Sequence, residues 1–109
     1  MHVKNARLAR ISGHRHDATV KEIAQEKAAS LGRAGRRLED ALARLRHCDA
    51  ENGGAAGREA LVEAAAEALY FYVVQREACG LHDSLEIFRE LRVPSEIQLR
   101  MGVRRKTGQ

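Results

Sequence analysis

Two places in the chain carry residue types that hold zinc: His47 next to Cys48, and Cys79 three residues ahead of His82. A tetrahedral site would need both pairs around one ion. A second constellation is Tyr72, Gln75, Arg76 and Cys79, whose spacing by threes and fours puts them on one face of a helix, with Glu77 adjacent. A nucleophilic Cys79 would want a nearby base and a helix N-terminus to favour its thiolate. A third is the carboxylate row Glu59, Glu63 and Glu67. Rows of this kind serve di-metal bundles only beside a Glu-x-x-His partner, which the chain lacks. The row therefore reads as a solvated helix face. His2, His14 and His16 lie in a basic lead-in, where an unanchored segment offers a metal no preorganised geometry.

Helices must position these residues. The chain has 109 residues and is rich in alanine, leucine, arginine and glutamate, with one proline and no tryptophan. That composition favours helix over sheet, and the length is one domain with one modest core. From about Ala18, a seam recurs at alternating spacings of four and three, through Ala24, Ala28, Leu31, Gly35, Leu38, Leu42 and Leu45. Its small residues Ala28, Gly32 and Gly35 would let another helix approach closely. Residues 49–57 form a glycine-rich loop, and Gly53-Gly54 lacks the Lys-Ser/Thr of a phosphate-binding loop. A second helix is expected from Arg58 to Cys79, stopped by Gly80 in the left-handed conformation. Asp83 or Ser84 caps a short third helix containing Leu85, Ile87, Phe88 and Leu91. Val93-Pro94 ends it, and Pro94 or Ser95 opens a fourth helix that Gly102 stops.

The expected fold class is all-α: a long antiparallel helical hairpin plus two short C-terminal helices, completing a helical bundle as a homodimer. At 1.5 Å per residue the long helices measure roughly 45 and 33 Å. The second then ends near Glu26, the start of the first overhangs, and the short helices are the expected cover there. The same geometry separates the two zinc-type pairs by roughly 30 Å. Cys79 falls at a helix C-terminus, where the dipole disfavours a thiolate. No catalytic residue, cofactor or metal is therefore expected, and Arg76 is expected to pair with Glu22 or Glu26. Leu69 to Val74 cover the whole circumference of the second helix, so it must be enclosed on all sides. The short helices cannot do this alone, and a second copy of the chain is the expected remainder. The interface candidates are Ala28, Gly32, Gly35, Tyr70, Phe71 and Val74.

The net charge of +4 is unevenly spread. Residues 1–17, a basic N-terminal tail, carry four cations against Asp17. Arg100, Arg104, Arg105 and Lys106 face no acid in the last ten residues, and residues 103–109 form a basic C-terminal tail. The helical domain, 18–102, is mildly acidic. No segment is apolar enough to span a bilayer. With two cysteines, no disulfide framework and no secretory signal pattern, the expected setting is cytoplasmic.

The segments QEKAASLGRAGRRLEDAL, GREALVEAAAEALYFYVVQREACGL and VPSEIQLRMG resemble a family of small all-helical bacterial proteins of unknown function. The resemblance covers roughly 18–102 and implies an all-helical domain and no activity. Three readings follow. The first is a non-catalytic helical interaction module, homodimeric or bound to another protein. The second is a nucleic-acid binder using the third helix, the turn and the fourth helix, with Arg100, Arg104, Arg105 and Lys106 on phosphates. Arg92 stands in that turn where glycine is usual. The third is a small-ligand or enzymatic pocket near Tyr72 and Arg76.

Overall fold

The computed structural model describes the backbone of residues 2–107 and the side chains of residues 17–103. Four helices follow in order: α1, His2–Ala50; α2, Ala55–Ala78; α3, Ser84–Glu90; and α4, Ser95–Thr107. No strand occurs among the described residues. The helix α1 begins well before Ala18. A single interior glycine costs about 1 kcal/mol, which the Ala-, Leu- and Arg-containing flanks offset, so the backbone stays helical through Ser12-Gly13. Likewise α4 runs past Gly102 to Thr107.

Three of the helix ends close in the same way. Asn52, Gly80 and Arg92 each adopt a left-handed backbone, with φ of 52, 80 and 53°. At Gly80 the Leu81 amide donates to the Arg76 carbonyl at 2.8 Å and the Gly80 amide to Glu77 at 3.0 Å. That pair of bonds is the Schellman motif. Gly53 N to Cys48 O and Val93 N to Phe88 O repeat it, at 2.8 and 2.9 Å. A Cβ at Gly53 would run into Cys48 Sγ, so a larger residue here would have to displace that side chain. Phe88 and Val93, the apolar pair of the third motif, are both buried.

The core lies in the half of the hairpin nearest the α1–α2 turn. Leu38, Leu42 and Leu45 of α1 meet Val62, Leu69 and Val73 of α2, and Phe88, Val93, Ile97 and Met101 close the cluster. Gly35 admits the Tyr72 ring: a Cβ there would lie 3.3 Å from Cε1. The pairing register agrees with the expected one, because Cys79 Sγ sits 3.9 Å from the Lys27 carbonyl oxygen.

The short helices do not cover the overhang of α1. They fold back toward the turn, where Arg46 Nη2 donates to the carbonyls of Leu91 at 3.0 Å and Arg92 at 3.3 Å. Phe88, Ile97 and Met101 of these helices go where leucines await them. Among the described residues the overhang offers Val20, Ile23 and alanines, and residues 17–29 are exposed throughout. At the start of α4 the Pro94 carbonyl accepts from Ile97 and Gln98 at 3.0 and 3.1 Å. The Gln98 side chain donates to Val93 O at 2.9 Å.

A left-handed residue with a Cβ costs roughly 1–2 kcal/mol. Arg92→Gly should therefore raise the free energy of unfolding by about 1 kcal/mol, read as a higher urea midpoint with an unchanged m-value.

Candidate functional site

The helix α2 is apolar on two opposite sides. One seam, Val62, Ala66, Leu69 and Val73, is buried against the rest of the chain. On the other side Ala60, Ala64, Glu67, Phe71, Val74 and Ala78 are spaced by four and three in turn, and all but Glu67 are exposed. Phe71 is 43 % and Val74 39 % accessible. The Arg37 guanidinium lies 4.9 Å from the centre of the Phe71 ring. Its Nη2 pairs with Glu67 Oε1 at 3.1 Å. One α1 side chain thus neutralises the only charge on the stripe and flanks its largest residue.

Two grooves adjoin this stripe. Ser30, Arg33, Ala34 and Arg37 of α1 face Phe71 and Gln75 across a space of about 220 Å³. At the far end Ala24, Lys27, Ala28 and Leu31 face Ala78 and Cys79 across about 340 Å³. Of the interface candidates, Phe71 and Val74 share the stripe, and Ala28 lines the second groove. Gly32 is half-buried and meets only the tip of Arg36. Gly35 and Tyr70 turn to packing within the chain, Gly35 under Tyr72 and Tyr70 against the core. Tyr70 also meets Phe71 edge-on, with ring centres 6.2 Å apart. Ala60, Ala64, Ala78 and Arg37 were not singled out from the sequence. The alternating spacing around Phe71 and Val74 was the available signal.

The charged residue beside Tyr72, Arg76, is engaged. Arg76 is buried, with Nη2 2.6 Å from Asp83 Oδ1 and Nε without a hydrogen-bond partner. Its guanidinium carbon lies 5.8 Å from the centre of the Tyr72 ring. Its partner is neither Glu22 nor Glu26: Glu26 pairs with Arg33 at 3.0 Å. Local geometry explains this, since Gly80 turns the chain so that Asp83 returns to the end of α2. Asp83 makes no side-chain cap to α3. Among the described residues no group of three or more His, Cys, Asp or Glu side chains is arranged to hold a metal.

The carboxylate row is a fastening rather than a plain solvated face. Arg100 Nη1 pairs with Glu59 at 2.6 Å and with Glu63, joining α4 to α2. These carboxylates, Glu59 first, raise the already high pKa of Arg100. The side chains of Arg104, Arg105 and Lys106 lie outside the described residues. Beside the turn, Arg58 Nε pairs with Asp49 at 2.7 Å and its terminal nitrogens with Glu96. The hydrogen bond from Arg58 holds the Glu96 carboxyl below the usual carboxylate range.

A depressed folded-state pKa stabilises the fold above the unfolded value of about 4.3, and the contribution disappears as pH falls through the folded value. Unfolding free energy should therefore decline on acidification below about pH 4.5, and Glu96→Gln should flatten part of that decline. Urea titrations at stepped pH measure the slope.

These features define an all-helical protein built on a long hairpin, braced at the turn end and uncovered at the other. The chain belongs to a family of unknown function (DUF6665), whose model matches residues 7–108. No curated protein and no solved structure matches it.

Proposed function

We propose that the protein is a non-catalytic helical interaction module that works as a homodimer in the cytoplasm, its working domain spanning residues 18–102. The observation that carries this reading is the exposed α2 stripe centred on Phe71 and Val74. The free thiols Cys48 and Cys79 suit a reducing compartment. No helix among the described residues is long and apolar enough to cross a membrane.

Magnitudes set how much of the surface must take part. Withdrawing the exposed halves of Phe71 and Val74 from water in two copies supplies about 4 kcal/mol. Association loses about 4–15 kcal/mol of translational and rotational freedom. Two residues per copy do not suffice, so the alanines of the stripe and the adjoining groove walls must be covered as well.

The nucleic-acid reading has less support. The left-handed Arg92 does allow a tight turn between α3 and α4. Arg100, however, is already held by Glu59 and Glu63. The pocket reading also has less support, because Arg76 is taken up by Asp83 and Tyr72.

Sedimentation velocity tests the proposal. The wild-type chain should show a concentration-dependent dimer. Phe71→Ser/Val74→Ser should shift it to monomer with unchanged helical circular dichroism. Leu99→Ser, an equally apolar change on exposed α4 surface, should leave the dimer intact. A wild-type chain that stays monomeric, or a double variant that still dimerises, contradicts the reading.

A further inference from the structure

We propose that the groove between α3 and α4 binds a small phosphate monoester, held by Arg89 and Arg92. This site shares no residue with the α2 stripe, so it stands whatever covers that stripe.

Most described arginines are neutralised within the chain. Arg33, Arg37, Arg44, Arg58, Arg76 and Arg100 each pair with a carboxylate. Arg46 donates to the carbonyls that end α3. Among the described residues, Arg36, Arg89 and Arg92 pair with no acid. Two of these three, Arg89 and Arg92, line the same groove, a space of about 270 Å³. Their backbones are tied together, the Arg92 amide donating to the Arg89 carbonyl at 3.1 Å. No Asp or Glu lines that groove. Glu39 and Glu90 line a separate one with Arg46. Two guanidinium groups on one groove repel each other until an oxyanion lies between them, and their planar forks match phosphate oxygens.

The backbone at Arg92 agrees with this assignment. The left-handed residues that close the other two helix ends are Asn52 and Gly80. Asparagine and glycine adopt that conformation readily, and arginine does not. The Arg92 side chain is exposed and forms no ion pair among the described residues, so no charge contact within the chain offsets the strain. Strain of this kind gathers where a side chain meets a ligand.

The remaining lining sets the body of the ligand. Leu85, Phe88 and Val93 supply an apolar wall, and Leu85 is 69 % exposed. The Gln98 side chain donates to Val93 O, which leaves its carbonyl oxygen to accept from a ligand hydroxyl. The space lies near the small end of small-molecule sites, about 300 Å³. A phosphate dianion on a small, partly apolar body fits these groups.

NMR of the full chain, read at the arginine Nε–Hε resonances, tests the site. Phenyl phosphate should shift the Arg89 and Arg92 signals saturably and leave that of Arg36, the unpaired arginine outside the groove, in place. Arg92→Gly, the change expected to stabilise the fold, should weaken binding at least about tenfold with helical circular dichroism retained. Arg36→Gln should bind as the wild type does. Single-stranded oligothymidylate should bind no more tightly per phosphate than phenyl phosphate does. Tighter oligonucleotide binding that Arg92→Gly abolishes overturns the monoester and assigns the groove to a nucleic-acid backbone. Shifts that never saturate, equal shifts at Arg36, or unchanged binding in Arg92→Gly overturn the site altogether.

Discussion

The structure turns on an imbalance in α2. That helix presents apolar seams on two opposite sides, while the rest of the described chain packs against one of them. A helix apolar around its circumference lowers its free energy only when both sides leave water. On the inner side, three leucines of α1 and the apolar residues of α3 and α4 accomplish this. On the outer side one arginine, Arg37, lies beside Phe71.

The covered and uncovered sides follow from how the short helices are fastened. The seven-residue α3 buries a single side chain, Phe88, and could not hold its place alone. It is tied at one end by the Arg76–Asp83 pair and at the other by the left-handed turn at Arg92. The α4 helix is then held by Arg58 and Arg100 on the acidic side chains around the turn. Exposed ion pairs contribute little individually; here they select where the apolar residues Ile97 and Met101 dock. The turn end gains a four-helix core. The other end keeps only α1 and α2, and the protomer extends over 76 × 26 × 23 Å.

Much of the long-range plan was legible in the sequence. The Leu38-Leu42-Leu45 seam specified the inner face of α1, Gly80 marked the end of α2, and helix rise placed that end near Glu26, next to the Lys27 carbonyl that Cys79 meets. The positions of α3 and α4 were not legible, because short helices carry too few periodic residues to declare a register. Their direction depends on pairs such as Arg58–Glu96 and Arg100–Glu59, separated by roughly forty positions along the chain. The second α2 seam was half visible. Phe71 and Val74 stood out as apolar excess, but Ala60, Ala64 and Ala78 resemble ordinary helix-forming alanines until the other side of α2 is known to be occupied. Arg76 misled for a related reason: its partner, Asp83, lies across a turn rather than across the hairpin.

Small-angle X-ray scattering of the unmodified chain, followed over concentration, tests most directly whether the outer side of α2 is covered by another copy. Forward scattering should rise to twice the 12.1 kDa of one chain. A mass of one chain at every concentration, with a radius of gyration near the 20.7 Å of the single protomer, would contradict the account.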